Sequence, residues 1–465
     1  MTQFTPTFPV FTFSSNQTLF QPYHTMEQQS KQIPITTTPC SEFPTPINSL
    51  QNFNKTNCME QLLVHCANAI ETNNATLAQQ ILWVFNNTTP QDGDSNQRLA
   101  GSFIRALINR ASKTGSCKML EVVTETTSSY NNHNNLAMQI HKFSVIELAD
   151  FVDLTPWHRF GFTAANSTIV EATKGFSVIH IVDLSLTHCM QIPTLIDSIS
   201  NRDEVPPLIK LTVADFRNMN IHMPIPPLLD LSYDELGAKL VNFAKSKNVI
   251  MEFKAVSSTY ADGFASLIEH LRVQVQHYDK THEALVINCH MILHYIPDET
   301  LNHTNMNPNY SSSLRSMFLE ALRSLDPTIV VLVDEDADLT SNDLVCRLKS
   351  TFNFLWIPYD IVDTFLPQGS KQREWYEASI CWKIENVIAY EGIERVERVE
   401  PKSKWEQRMR NAHFQGICFD EDSILEVKAM LDEHAVGWGL KKEDEFVVLT
   451  WKGNNVIFAS AWLPS

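Results

Sequence analysis

The sequence predicts an α/β protein, in which a mainly parallel sheet follows an α-helical cap and ends in a β-hairpin. Apolar residues recur at helical spacing early in the chain, as in CMEQLLVHCANAIE. From residue 177, short apolar runs alternate with helical patterns, which is typical of strands buried on both faces of a parallel sheet. Near the end, Glu445–Trp451 and Val456–Trp462 flank the tetrapeptide KGNN, a hairpin signal. Five β/α units closed by a hairpin resemble the Rossmann-like arrangement of class I methyltransferases.

Charge and cysteine usage restrict the class of protein. The 465 residues carry a formal net charge of -17, so the surface repels a phosphate backbone and nucleic-acid binding needs a local basic patch. The nine cysteines form no C-x-x-C pair, which favours a reducing compartment and argues against disulfides and a zinc ribbon. No basic, apolar leader and no apolar run of ~20 residues occurs, so we expect an intracellular protein without a membrane segment.

The composition divides the chain into three segments. Residues 1–55 are rich in Thr, Gln, Pro, Ser, Asn and Phe and lack any period, which predicts a disordered polar tail. Residues 56–175 form the predicted helical cap, and residues 176–465 the α/β core. Phenylalanines in the tail are either anchors for a partner or without a specific role: Phe4, Phe8, Phe11, Phe13 and Phe20.

The cap is predicted to contain five consecutive helices. The first two cover about 58–71 and 75–85, and Asp94 or Ser95 can cap the third. On the first helix one apolar face is formed by Met59, Leu62, Leu63, Cys66 and Ile70.

The last two cap helices are predicted from their start signals. Asn134 or Asn135 can cap a fourth helix that runs to Asp150. Thr155 followed by Pro156 predicts a fifth helix that extends to about residue 173.

The core is predicted to contain five strands separated by helices. The helix after the second strand opens with the capping box Ser232-Tyr-Asp-Glu235. The apolar runs cover residues 177–184, 207–215, 248–256, 283–295 and 327–336.

The turn after the first strand lacks the glycines of a cofactor site. No glycine lies between Gly175 and Gly237, although a nucleotide or cofactor at this turn needs close approach to the backbone. We expect Leu186, Thr187 and His188 to fill that space. The interpretation is a protein without a cofactor and without catalytic activity.

An alternative function uses the same strand ends. Asp183 ends the first strand and Asp215 the second, where acidic side chains could hold ribose hydroxyls. This alternative is a small-molecule-binding or methyltransferase-like protein. Neither Gly-x-Ser-x-Gly nor a P-loop occurs in the sequence.

Two further patterns have the residue types of a metal site. His290 and His294 show i, i+4 spacing, but along a strand such positions lie ~13 Å apart, so a structural histidine pair is the expected outcome. An acidic cluster after the fifth strand could bind a cation, but we expect a solvated turn that caps the next helix; it consists of Asp334, Glu335, Asp336 and Asp338.

Several landmarks, in order, resemble the GRAS family of plant transcriptional regulators, and within it the scarecrow-like proteins. EALVINCHMILHYIPDE at 283–299 and LRSLDPTIVVLVDEDAD at 322–338 fit one family segment, and the tail from residue 395 fits the closing SAW region. The VHIID core is represented by Ile179, His180, Ile181, Val182 and Asp183. The SAW and basic region is represented by Arg395, Glu397, Arg398, Lys404, Trp405, Arg408, Trp438, Gly439, Trp451, Ser460, Ala461 and Trp462.

The resemblance covers about residues 58–465 and implies a helical cap with the first leucine-rich region over a Rossmann-like core. Its regions fall at about 147–215 (VHIID), 230–262 (second leucine-rich region), 283–385 (PFYRE) and 388–465 (SAW). The sequence departs from the family in two places. Only Gln191 and Pro193 remain of the Gln-Trp-Pro after the VHIID core, and the Arg-Glu of the PFYRE region is replaced by Trp382 and Lys383.

The resemblance also implies a function. It implies a non-catalytic transcriptional regulator in the nucleus, with the cytoplasm as a further location, that binds other transcription regulators and forms homo- or heterodimers with GRAS proteins. DNA contact would be direct or through a partner. The leucine-rich helices are the expected dimer surface, with Leu62, Leu63 and Trp83 as candidates, although a place in the core is the alternative for them.

Two basic stretches are candidate contacts with DNA phosphate. The first contains interleaved acids, Glu397, Glu400 and Glu406, so an intramolecular ion-pair network that fixes the last helix to the sheet is the favoured interpretation. Its bases are Arg395, Arg398, Lys402, Lys404, Arg408 and Arg410. The second stretch allows the same two interpretations and contains Arg105, Arg110, Lys113 and Lys118.

Overall fold

The computed structural model describes residues 56–88, 93–113, 141–216, 224–301, 313–434 and 436–465. The predicted tail over 1–55, the helix caps at Asn134 and Asn135, and Lys118 lie outside these residues. Among the described helices, none combines the length and the apolar character that crossing a membrane requires.

The first described residues form three helices of the predicted cap. They are α1 (Thr56–Glu71), α2 (Ala75–Thr88) and α3 (Ser95–Lys113). The start of α3 is fixed by Asp94, whose carboxylate accepts a hydrogen bond from the Gln97 backbone N–H at 2.9 Å.

The next elements are β1 (Lys142–Phe143), α4 (Val145–Asp153) and α5 (Pro156–Ala172). The predicted fourth helix, 134–150, is wrong in its start, because Lys142 and Phe143 are extended and Ser144 forms a capping box with Glu147. The start of the fifth helix is confirmed, since Thr155 accepts a hydrogen bond from the Trp157 N–H and Pro156 follows it.

Strands and helices then alternate as predicted. They are β2 (Val178–Ser185), α6 (Ile192–Ser200), β3 (Leu208–Asp215), β4 (Leu228–Leu229), α7 (Tyr233–Ser246), β5 (Met251–Ser257), α8 (Ala265–Val275), β6 (Glu283–His290), α9 (Leu314–Ser324) and β7 (Ile329–Glu335). The capping box of Ser232 and Glu235 at the start of α7 is confirmed.

The last part of the chain contributes four helices and four strands to the described structure. They are α10 (Leu344–Phe365), α11 (Lys371–Ala389), α12 (Lys402–Asn411), β8 (Phe414–Ile417), α13 (Glu421–Asp432), β9 (Trp438–Glu443), β10 (Phe446–Trp451) and β11 (Asn454–Pro464). Helix α3 packs on α11 and α1 packs on α10, so the helical layer combines helices that precede the sheet strands in the chain with helices that follow β7.

In the described part of the chain, nine strands form one sheet, ordered β5-β3-β2-β6-β7-β11-β10-β9, with β8 paired to β11. The five neighbouring strands β5, β3, β2, β6 and β7 run parallel to one another. Strand β11 pairs antiparallel with β7, β10 and β8, and β9 pairs antiparallel with β10. The prediction of a mainly parallel sheet is therefore wrong, because the sheet is mixed. The hairpin of β10 and β11 is confirmed, but β8 and β9 add two antiparallel strands that the sequence did not indicate.

Candidate functional site

The candidate cofactor crevice lies at the carboxyl end of β2. Asp183 is buried, and its carboxylate accepts hydrogen bonds from Ser185 Oγ and Asn288 Nδ2, both at 2.7 Å. Burial raises the pKa of Asp183 although these hydrogen bonds oppose the shift. The Asn288 amide also donates to Gln191 Oε1 at 3.0 Å. Asp183 is thus engaged inside the protein, while Asp215 at the end of β3 is half-buried.

The turn after β2 is filled by its own side chains. Leu186, Thr187 and His188 are buried, which confirms the prediction for these residues. The His188 ring lies 3.0 Å from Tyr233 Oη and 2.9 Å from the Pro227 carbonyl oxygen. The remaining cavity beside Asp183 measures about 10 Å³, roughly the space of one water molecule.

Two residues of this turn have positive φ angles, a backbone conformation that glycine usually provides. His188 and Cys189 adopt φ values of 48° and 63°, in the left-handed region that most non-glycine residues avoid. The buried hydrogen bonds of the His188 side chain hold this conformation. The strand–turn–helix geometry therefore persists without a glycine, and this was the feature that sequence reasoning missed.

The first four residues of the VHIID core build the centre of the sheet. Ile179, Ile181 and Val182 are fully buried in β2. His180 lies 2.7 Å from Thr212 Oγ1 on β3 and also contacts the Tyr278 hydroxyl. These side chains hold neighbouring strands together.

His290 and His294 contact different partners. His290 ends β6, and its Nε2 lies 3.2 Å from Nδ1 of His158 on α5. Burial lowers the pKa of His158 to about 4, so this imidazole is neutral at pH 7. His294 lies in the next turn, with Nδ1 2.7 Å from Asp334 and Nε2 3.4 Å from Glu397. In the described ranges, no three His, Cys, Asp or Glu side chains are grouped as metal ligands.

The expectation of a solvated acidic turn is wrong for Asp334 and Glu335. Both belong to β7, and their exposed fractions are 0% and 6%. Asp334 pairs with His294, and Glu335 pairs with Lys383 Nζ at 2.5 Å. Their partners come from distant segments, which a single sequence does not place. Asp336 and Asp338 pair with Lys402 and Lys404, at 3.5 and 3.4 Å.

Five side chains form what we call the buried ionic cluster: His294, Asp334, Glu335, Lys383 and Glu397. Glu397 Oε2 lies 3.5 Å from Lys383 Nζ, and Tyr295 donates a hydrogen bond to Glu397 Oε1 at 2.6 Å. Burial alone would lower the pKa of His294, but Asp334 and Glu397 outweigh it and raise that pKa to about 9. Burial alone would raise the pKa of Glu397, but Lys383 and His294 hold it at about 2.

The first basic stretch is paired within the protein. Arg395 and Arg398 are 1% and 2% exposed, and Arg398 lies 3.2 Å from Asp298. Arg408 lies 2.7 Å from both Glu400 and Glu299. These positions agree with an intramolecular ion-pair network, and phosphate contact by these arginines would require breaking it.

The outer members of this stretch lie closer to the surface. Lys404 is half-exposed and pairs with Asp338, while Arg410 pairs with Glu406 and Glu445 at 3.1 and 2.7 Å. Trp405, between them on α12, is 1% exposed.

The second basic stretch connects the cap to α11. Arg110 lies 2.8 Å from both Glu71 and Glu391, and Lys113 Nζ lies 3.1 Å from the centre of the Tyr390 ring. Arg105 donates a hydrogen bond to Ser102 Oγ at 2.9 Å. These bases therefore also have partners within the chain.

The SAW aromatics are packing residues. Trp451 is buried against Trp438 and donates from Nε1 to Asp360 at 2.7 Å. Trp462 donates from Nε1 to Ser460 Oγ at 2.9 Å, and Ala461 beside them is buried in β11. Gly439 lies in β9 next to Thr450, where a Cβ would come 2.8 Å from Thr450 Oγ1.

The candidate dimer residues separate into two groups. Leu63 is fully buried, and Leu62 is half-buried against the core. Trp83 on α2 has 70% of its surface exposed. Among the three, only Trp83 is largely exposed.

A helical layer thus lies over a mixed α/β sheet whose strand-end crevice is filled, and Trp451 and Trp462 are buried in its last strands. The chain belongs to the GRAS domain family, which matches residues 59–463. The family prediction is thereby confirmed.

Known proteins similar to this chain include a named transcription factor. Scarecrow-like protein 32 of Arabidopsis thaliana is 55% identical over 427 residues, covering 91% of this chain and 98% of that protein. Scarecrow-like transcription factor PAT1, also of Arabidopsis thaliana, is 26% identical, covering 86% and 75%. The crystal structure of SCL7 in Oryza sativa has a TM-score of 0.67 at 21% identity, covers 87% of this chain and 99% of that chain, and shows the shared fold.

Proposed function

We propose that this protein is a nuclear transcriptional regulator that works by binding other proteins and catalyses no reaction. The observation that carries the proposal is the filled strand end, where Leu186, Thr187 and His188 leave about 10 Å³ beside Asp183. A nucleoside cofactor needs a cleft of several hundred Å³. The alternative at Asp183 and Asp215 is therefore not supported. Membership of a family that includes a named transcription factor supports the regulatory part.

Absence of catalysis is tested by calorimetric titration of the full chain with S-adenosylmethionine and with its demethylated product. We expect no heat of binding for either compound. Binding of either compound at micromolar concentration would contradict the proposal.

DNA contact is proposed to be weak for the protein alone and stronger through a partner. The net charge of -17 opposes association with DNA, and Arg395, Arg398 and Arg408 are already paired with carboxylates or carbonyl groups. We expect the full chain to bind random duplex DNA weakly at 50 mM salt and to lose binding at physiological salt. Tight, sequence-selective binding to DNA by the purified protein alone would contradict this proposal.

Partners are proposed to include other transcription regulators and a second GRAS protein. The exposed Trp83 on α2 supports a helix-mediated dimer, because tryptophan is enriched among residues that dominate interface energy.

Nuclear location is tested by imaging a fluorescent fusion of the full chain in plant cells, and exclusion from the nucleus would contradict the proposal.

We also interpret the five parallel strands, ordered β5-β3-β2-β6-β7, as a Rossmann-like sheet of the class I methyltransferase type. In support, β2 is the first of these five strands along the chain and lies between β3 and β6, where the strand order reverses. β11 is then the reversed strand between β7 and β10.

A further inference from the structure

Strand β5 (Met251–Ser257) forms one edge of the sheet. Among the described residues it pairs only with β3, so the backbone groups on its other side have no strand partner there. Such an edge is a template for pairing with another chain unless prolines, charges or a covering segment prevent it. β5 contains no proline and no glycine, and the side chains of Glu252, Lys254 and the preceding Ile250 are exposed.

The register with β3 determines which residues of β5 direct their backbone outward. Met251 lies opposite Ile209, and the Ile209 N–H donates to the Ile250 carbonyl oxygen at 2.9 Å. Along a strand, the N–H and C=O of one residue point to the same side, and successive residues alternate. The even-numbered residues of β5 therefore direct their backbone groups to β3, whereas Met251, Phe253 and Ala255 direct theirs away from the sheet.

The sequence of β5 is complementary to a second copy of itself. When two copies pair antiparallel about Phe253, that residue faces its own copy and Met251 faces Ala255, so the three outward residues all form hydrogen-bonded pairs. Glu252 then lies directly opposite Lys254 of the second copy, and two-fold symmetry repeats the contact. These are non-hydrogen-bonded positions, at which facing side chains are closest.

The two charges favour this occupant over an unrelated strand. Within the described ranges, neither Glu252 nor Lys254 forms an ion pair in its own chain. A lone lysine protects an edge from pairing, but opposite charges placed symmetrically about Phe253 attract across a self-paired edge. Beyond them, Ile250, with 73% of its surface exposed, faces the half-buried Val256 of the second copy, which adds an apolar pair at each end.

We propose that β5 binds β5 of a second copy in antiparallel orientation, with Glu252 of each molecule paired to Lys254 of the other. The two sheets then continue into one another. This contact uses the α/β core and is separate from the helix-mediated dimer proposed through Trp83. Molecules that use both surfaces form assemblies larger than a dimer.

Sedimentation equilibrium of the full-length Trp83→Ala protein tests the proposal, because this substitution removes the anchor of the helix-mediated contact. We expect residual self-association through β5. Adding either Lys254→Glu or Glu252→Lys places like charges opposite each other and should weaken that association at least tenfold. A Trp83→Ala protein that stays monomeric up to about 100 μM, or unchanged association in either charge variant, would overturn the proposal.

An equimolar mixture of the two charge variants locates the contact. One variant carries two lysines on the edge of β5 and the other two glutamates, so only unlike molecules have complementary strands. We expect association to recover in the mixture. Lys428→Glu, at an exposed position on α13, reverses the same charge and is the matched control. It should neither weaken self-association nor restore that of the Glu252→Lys protein. A mixture that associates as weakly as its components would contradict the assignment.

Ala255→Pro tests the backbone pairing. The Ala255 N–H points away from β3, so proline removes an outward donor without breaking a hydrogen bond to β3. We expect loss of the β5 association with an almost unchanged urea midpoint of unfolding. Association that persists in this variant would contradict the proposal. If Ala255→Pro does not fold, the mixture of the charge variants decides alone.

Discussion

The Glu397 carboxylate lies 3.4 Å from the His294 imidazole, and both side chains are buried. Through this contact the segment before α12 is attached to the turn after β6. Lys383 of α11 reaches the same carboxylate. One acidic side chain therefore connects the end of the helical layer, the parallel half of the sheet and the SAW region.

Glu397→Gln should lower the free energy of unfolding more than a surface substitution does. The substitution removes the carboxylate that His294 and Lys383 share, but each keeps a closer one, Asp334 at 2.7 Å and Glu335 at 2.5 Å. The expected cost of weakening these buried polar contacts is about 1–3 kcal/mol. The free energy of unfolding, measured in urea, tests this. The control is Glu406→Gln, which removes an exposed partner of Arg410 and should cost less than about 1 kcal/mol. Similar losses in the two variants would contradict the role of the buried ionic cluster.

The charge on His294 should make the free energy of unfolding fall as the pH rises from neutral to alkaline values. Its pKa is about 9 in the folded protein against 6.5 for an unperturbed histidine, so its contribution is complete below pH 6.5 and is lost as pH rises to about 9. The total loss is roughly 3 kcal/mol. The measurement is the free energy of unfolding at several pH values for the wild type minus that for His294→Gln. A difference that stays constant from pH 6 to pH 9 would show that the imidazole is not charged in the folded state.

Gly161→Ala should destabilise the contact between α5 and the sheet. A Cβ at this position would lie 2.6 Å from Val333 Cγ1 and 2.7 Å from His290 Cε1, both in the interior. The expected cost is about 1–3 kcal/mol. Gly101→Ala is the matched control, since a Cβ there meets open space on α3 and should stabilise the protein by about 0.5–1 kcal/mol. Thermal denaturation of the two variants should thus shift in opposite directions.

Trp83→Ala should weaken self-association and leave the fold intact. Loss of an exposed side chain changes the free energy of unfolding by less than about 1 kcal/mol, whereas loss of an interface anchor weakens a dimer tenfold or more. Sedimentation equilibrium measures the dimer, and denaturation in urea measures the fold. Leu63→Ala is the counterpart, with an expected folding cost of about 2–5 kcal/mol. Unchanged dimer affinity in Trp83→Ala would place the interface elsewhere.

The parallel strands could be predicted from the sequence because they are buried on both faces. The run 177–184 contains few polar residues and became β2, whereas Trp438–Glu443 is half-exposed, contains two lysines and gave no strand signal. The filling of the strand end by Leu186 and His188 could also be predicted, since it depends on missing glycines and bulky neighbours.

The environment of Asp334 and Glu335 could not be predicted. Four acidic residues within five positions usually indicate a solvent-exposed segment. Here Asp334 pairs with His294 and Glu335 with Lys383, and both partners come from distant segments of the chain. The intramolecular pairing of Arg395 and Arg398 agrees with the favoured interpretation, but their acceptors, which are mostly backbone carbonyl groups, could not be predicted. Such partners leave no pattern in a single sequence.

Strand β11 pairs with β7, β10 and β8, so residues 454–464 connect three strands that were synthesised earlier. During translation, β7 and β10 emerge from the ribosome with unpaired edges and stay open until this segment follows. A premature stop codon before residue 454 would leave both edges unpaired, and such a product would be a target for chaperones and proteases.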